Sequence, residues 1–192
     1  MNKLILILGS SGTGKSTIEK IVSDRLGYKR VISHTTRPMR QGEVAGETYH
    51  FINDVVFEIY KAQGSFLETT KYNNWNYGII KHDIDLIRSD YIAVVEPDGY
   101  KQIVDNLGAE NIVSILIKVD NKTKLLRALN REEAPNCKEV CRRFLADLEL
   151  FEGIEDKVDF IVDNNGNLND TFEEISYILG DIKARDELRN GR

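Results

Sequence analysis

Near the start of the chain, Gly9-Ser10-Ser11-Gly12-Thr13-Gly14-Lys15-Ser16 fits the pattern G-x-x-x-x-G-K-[ST], a spacing that wraps backbone around phosphate. Glycines let the main chain curl until successive N–H groups point inward, and a helix starting near Lys15 adds the positive end of its dipole. Lys15 can then bridge the outer phosphates of a nucleotide, and Ser16 can offer its hydroxyl to Mg²⁺. Thr17 follows on the first helical turn. The implied ligand is a nucleoside triphosphate. What is done with it stays open at this point, because GTPase switches, ATPases and small-molecule kinases share such a loop.

A second string has anion-binding character. Ser33-His34-Thr35-Thr36-Arg37-Pro38-Met39-Arg40-Gln41-Gly42-Glu43 sets two guanidiniums three residues apart among hydroxyls, and Tyr49 follows after Gly46. Arginine forks engage phosphate oxygens two at a time, and a tyrosine hydroxyl adds a donor from the side. The string fits a second phosphate; an arbitrary Arg-Pro-x-Arg would more simply be a solvated loop.

Both strings need rigid elements behind them. Apolar runs at 4–8, 91–95 and 112–119 have too few alternating polar residues for a sheet with one wet face, so they read as buried parallel strands. Between them, 17–26, 98–107 and 122–130 carry apolar residues at helical spacing. Strand and helix in alternation predict a doubly wound α/β core. A further strand at 159–162 precedes a helix over 170–182, and the charged tail 183–192 is expected to fray. Two segments break the rhythm. Residues 33–80 are polar, aromatic and turn-rich, with alternating pieces at 47–51 and 66–72 that suggest a small antiparallel insertion. Around 131–142, Pro135 and Asn136 mark a helix break and restart.

The 192 residues suffice for one domain with a sizeable core, and 41% hydrophobic with 30% charged residues is an ordinary globular composition. With 26 basic and 31 acidic side chains the net charge is -5, so no global positive field advertises nucleic acid or an anionic membrane. The apolar run at 4–8 is too short to span a bilayer. Cys137 and Cys141 lack a second pair at metal spacing and read as reduced thiols. The expected compartment is the cytoplasm, and the oligomeric state is not legible.

Taken together, the phosphate loop, SHTTRPMRQGEVAGETYHF over Ser33 to Phe51, FLE over Phe66 to Glu68, NYG over Asn76 to Gly78, the arginine-bearing segment 127–143 and Asn164 resemble the guanylate kinase family along nearly the whole chain. The resemblance implies a P-loop doubly wound parallel sheet with a core of 1–32, 81–126 and 144–192, a monophosphate-binding insertion at 33–80 and a helical lid at 127–143. It implies ATP as phosphoryl donor with Mg²⁺, and GMP or dGMP as acceptor. By position, Gly9 to Thr17 with Arg127 and Asn164 would hold ATP. Ser33, Arg37, Arg40, Tyr49, Glu68, Tyr77 and Asp98 would hold the monophosphate. Lys15, Arg37, Asp98, Arg131 and Arg143 would serve the transfer, with Ser16 on the metal. Asp98 can also be read as the N-cap of the helix after Pro97, Glu96 as a metal-water ligand, and Arg142 competes with Arg143 for the same role.

Three departures bear on the acceptor. Ile79 stands where the family places a hydroxyl that helps read guanine O6, Glu96-Pro97-Asp98-Gly99-Tyr100-Lys101 lacks a Gln-Gly, and Arg131 is followed by Glu132 instead of glycine. They keep one other reading alive, a kinase of this fold for another phosphorylated acceptor; a non-catalytic interaction domain is the remaining alternative, and it would have no use for Lys15, Ser16 and three lid arginines.

Overall fold

The computed structural model describes residues 2–40, 42–72, 74–130 and 135–191. At its centre β1 (Leu4–Leu8) is buried along its whole length. Leu4, Leu6 and Leu8 enter one apolar cluster, whereas Ile5 and Ile7 enter another on the opposite face. This is the two-sided burial that an unalternating apolar run demands. Around it lie β2 (Lys29–Arg30), β7 (Tyr91–Val94), β8 (Ile112–Lys118) and β9 (Phe160–Asp163), in the order β2-β7-β1-β8-β9 with every pair parallel. One face is covered by α1 (Lys15–Leu26) and α6 (Leu168–Asn190), through Ile18, Val22, Ile175 and Leu179. The other is covered by α3 (Pro97–Leu107), through Ile103. The carboxyl ends of β1 and β7 feed the phosphate loop and Glu96, as the crevice rule for doubly wound sheets requires.

The insertion holds β3 (His34–Thr35), β4 (His50–Phe51), α2 (Asp54–Ala62), β5 (Phe66–Tyr72) and β6 (Trp75–Ile80), with its own sheet in the order β4-β3-β6-β5. The β5-β6-β3 pairs are antiparallel as the alternation suggests, whereas β3 and β4 pair in parallel. Of the 47–51 stretch only His50–Phe51 forms a strand. The helix α2 gave no clear signal beforehand: Asn53 caps it by accepting from Val56 N–H at 2.9 Å, and buried Phe57 packs on Phe66 at 4.5 Å between ring centroids.

Beyond the core, α4 (Asn121–Leu129) and α5 (Cys137–Leu150) meet at the anticipated break, where Asn136 caps α5 by accepting from Glu139 N–H at 3.1 Å. Arg131 falls outside the described residues. The tail does not fray where expected. Helix α6 continues to Asn190 because Lys183 reaches Asp90 at 3.0 Å and covers the Tyr28 ring, while Asp186 pairs with Lys3 at 3.3 Å. Among the described residues no helix is long and apolar enough to cross a membrane.

Candidate active site

The phosphate loop is built from backbone that only glycine adopts readily. Gly12 and Gly14 have φ of 84° and 91°, and a Cβ on Gly12 would stand 2.5 Å from the Lys124 carbonyl oxygen, so α4 can rest directly on the loop. Gly14 is the N-cap of α1, which places Lys15, Ser16 and Thr17 on its first turn. The Lys15 ammonium donates to the carbonyls of Gly9 and Ser10, the latter at 3.1 Å. Beneath the loop, Asn164 is buried; its Nδ2 donates to Thr13 O at 2.8 Å and its Oδ1 accepts from Thr171 Oγ1 at 2.9 Å. Arg127 donates to Asn164 O at 3.0 Å. Asn164 is therefore bonded to the loop through Thr13 and to Arg127 through its own carbonyl, and Arg127 also lines the cavity beside the loop.

Beside this loop stands a residue whose place in the sequence carries no sign of a role. Ser11 N–H, one of the inward-facing donors, gives its hydrogen to Asp147 Oδ2 on α5 at 2.5 Å. Glu96 is nearby: its side chain is open to solvent, yet the protein atoms around it desolvate the carboxyl and raise its pKa, Lys15 opposing that rise and Asp147 adding to it. Glu96 occupies the N-cap position of α3, and Asp98 lies exposed within the first turn, so the capping alternative for Asp98 does not hold.

In the acceptor loop, Arg37 is only 6% exposed. Its Nη1 and Nη2 donate to Glu43 Oε2 and Oε1 at 2.9 and 2.7 Å, and Nη1 also donates to Pro38 O at 2.8 Å. Glu43 further accepts from Arg40 N–H at 2.7 Å, and Arg37 holds its carboxyl below the ordinary range. The guanidinium lies 5.3 Å from the Tyr49 ring, and Tyr49 meets Tyr77 edge-on at 5.9 Å. Arg37, Tyr49 and Tyr77 thus lie together, and Arg40 joins them through its backbone N–H on Glu43, an acid to which the sequence reading assigned no role. Its signal was visible: an acid inside a loop carrying two arginines.

Glu68 sits on β5 opposite Ile79 of β6 and is buried. Burial and the Glu96 charge push its pKa up to about 7, although the Ile79 backbone N–H stabilises the carboxylate. A Cβ on Gly99 would stand 3.0 Å from Glu68 Oε2, so the glycine admits the carboxylate beside α3. Ile79 itself is fully buried and packs in the same apolar cluster as Leu67 and Ile103. Its side chain is core, which is why a hydroxyl is absent there. Ser33 precedes β3, half-buried, with its carbonyl accepting from His50 N–H at 2.9 Å.

A cavity of about 520 Å³ joins the two anion sites: Ser11 and Gly12 line it with Arg40, Glu43, Arg127 and Arg143. Arg143 faces this space, whereas Arg142 reaches to Tyr72 on the insertion at 3.0 Å. Lys15, Ser16, Ser33, Arg37, Tyr49, Glu68, Tyr77, Asp98 and Asn164 are not part of the wall of that cavity. Hard oxygen donors suit Mg²⁺, and Ser16 meets that requirement, exposed on the first turn of α1 beside Lys15.

A phosphate loop at the switch point of a parallel sheet, facing a second arginine-lined anion site, defines a P-loop phosphotransferase. Comparison with known proteins narrows this. The family model for guanylate kinase matches residues 1–182. The chain is 30% identical over 186 residues to guanylate kinase of Fusobacterium nucleatum subsp. nucleatum, covering 95% of this chain and 99% of the relative. It is 31% identical over 188 residues to that of Neisseria meningitidis serogroup A, covering 95% and 89%. Its fold superposes on the crystal structure of guanylate kinase from Anaplasma phagocytophilum with a TM-score of 0.71 at 21% identity, covering 93% of this chain and 85% of the other. A gluconokinase from Sinorhizobium meliloti shares the fold at a TM-score of 0.60 and 13% identity, covering 97% of each chain. The chain belongs to the guanylate kinase family and is a nucleoside monophosphate kinase, a transferase.

Proposed function

We propose that the protein transfers the terminal phosphoryl group of ATP to GMP or dGMP in one in-line displacement. An oxygen of the monophosphate attacks the γ-phosphorus, the bond to the β–γ bridging oxygen breaks, and ADP leaves with that electron pair. The observation that supports this reading is the shared cavity, whose wall includes Ser11 and Gly12 of the phosphate loop together with Arg40, Arg127 and Arg143. Lys15 and the loop amides neutralise the donor phosphates. Arg37, held in plane by Glu43, grips the acceptor phosphate with Arg40 and Tyr49, and Arg143 serves the charge on the moving group. Such transfers need positioning and charge neutralisation more than covalent help. Ser16 would hold Mg²⁺, which would supply positive charge to offset that of the phosphates.

For the base, Glu68 as a carboxylate can accept from both N1–H and the 2-amino group of guanine. Adenine offers an acceptor at N1 and no 2-amino group, so the same carboxylate would be left unpaired against it. Coupled-assay turnover with GMP, dGMP, AMP, CMP and UMP tests the proposal. Guanine nucleotides are expected to lead in kcat/KM by at least about tenfold, the size of one lost polar contact. A lead by another base would replace the acceptor, and no turnover with any of them would favour an interaction domain.

A further inference from the structure

We infer that Tyr72 is a positioning residue for Arg143, tying the acceptor insertion to the arginine that serves the transferred group; this rests on the phosphoryl transfer proposed above. Tyr72 ends β5 at the tip of the β5–β6 hairpin, directly across from Trp75. It belongs to the insertion, yet its contacts are with α5. Its hydroxyl accepts from Arg142 Nη2 at 3.0 Å, and the guanidinium carbons of Arg142 and Arg143 lie 5.7 and 5.4 Å from its ring centroid. From the other side, Glu139 accepts from Arg142 at 2.7 and 2.9 Å and from Arg143 Nε at 2.9 Å.

Arg143 is thus held between a carboxylate one helical turn back and an aromatic face supplied by another part of the fold. Glu139 moves with Arg143, being on the same helix, so it can set the side chain's rotamer but cannot report on the acceptor site. Tyr72 can. It stands on the sheet that carries Glu68, Thr69 and Tyr77, and any motion of that sheet on acceptor binding shifts the ring under the guanidinium. Arginine over an aromatic face prefers a defined geometry, and placement of a charged donor within a fraction of an ångström governs what it contributes to a transition state. Tyr72 does not line the cavity, whereas Arg143 does, so its action passes through the arginine.

The test compares Tyr72→Leu, Tyr72→Phe and Arg143→Ala, alone and combined, by steady-state kinetics with GMP and ATP. Wild-type turnover of GMP in the same assay checks the underlying function separately from the inference. Tyr72→Leu should lower kcat about five- to tenfold while both KM values stay within twofold, as expected for a cation–π contact felt mainly in the transition state. Tyr72→Phe, which keeps the ring, should recover most of kcat. In the Arg143→Ala background the Tyr72→Leu loss should vanish. Because Trp75 is the single tryptophan and faces Tyr72, its fluorescence gives a second readout: a GMP-induced change should be altered by Arg143→Ala. An undiminished kcat in Tyr72→Leu, or a loss that persists without Arg143, would overturn the inference. So would a parallel fall in melting temperature of all Tyr72 variants that tracks their kcat.

Discussion

In both anion sites of this cleft a carboxylate of the chain already occupies the positive groups, but the two carboxylates differ in kind. Glu43 lies six residues from Arg37 in the same loop and meets it fork to fork. It fixes the guanidinium plane while leaving donors for a ligand, since a guanidinium carries five. Asp147 comes from α5, 136 residues away from Ser11, and takes a backbone N–H that the proposed triphosphate would use. On the proposed reading Glu43 stays when its ligand arrives, whereas Asp147 gives way. An acid in an anion site therefore helps or hinders according to whether it holds the cation from behind or stands in the ligand's place.

The comparison can be broken most forcefully at its shared premise. Lys15→Ala should reduce turnover by at least about a thousandfold with the fold intact by circular dichroism, because it deletes a charge aimed at the transferring group. Activity within a few-fold of wild type would remove the phosphate loop from the mechanism. Next is Glu43→Gln, which keeps the shape but loses the ion pair. It should raise the KM for GMP by about 10- to 100-fold, equivalent to about 1.5–3 kcal/mol for a charged hydrogen-bonded pair, with the KM for ATP within twofold.

Glu68 offers a third kind of acid, buried with no cation on it among the described residues, and sharpens the contrast through pH. Its folded pKa near 7 exceeds the ordinary 4.5, so the folded state holds the proton more tightly than the unfolded one. The associated stability is fully present below pH 4.5 and is lost as pH rises through 7. Glu68→Gln should therefore be more stable than wild type at pH 8 by about 2–3 kcal/mol, with the gap shrinking toward pH 5, measured by urea unfolding. The same substitution should cost guanine nucleotides roughly 1–3 kcal/mol in kcat/KM at pH 8 while leaving AMP unchanged. The smallest effect carries the opposite sign: Asp147→Asn should tighten ATP binding by about three- to tenfold, measured calorimetrically, because the amide competes for Ser11 N–H without repelling phosphate. Weaker binding would make Asp147 a scaffold like Glu43.

What the sequence disclosed and what it withheld divide along the range of the forces involved. The phosphate loop, the apolar strands of the core and the break at Asn136 are local: glycine conformation, two-sided burial and capping are written in neighbouring residues. Strand β2 is two residues long and exists because Lys29 and Arg30 lie along β7; helix α6 persists through Lys183 because Asp90 and Tyr28 receive it. Neither partner is near in the chain. The loop that carries Arg37 and Arg40 stood out by their spacing, and Glu43 could have. Asp147 could not, since an acid on a helix is ordinary until its partner is known. Ile79 was read as a missing hydroxyl because a motif gives position without depth, and burial decides what a side chain there can touch.

Asn164 has a further consequence, for the order in which the molecule comes into being. The floor of the phosphate loop is supplied by a residue 151 positions after Thr13, itself held by Thr171 of α6. At ordinary synthesis rates of about 5–20 residues per second, the glycine-lysine string waits on the order of ten seconds or more for that support. Contacts of such separation also form late, after the entropy of closing the intervening chain has been overcome. A nascent chain therefore carries the complete glycine-lysine string long before it has the braced loop, which is finished only when the last strand and helix have docked.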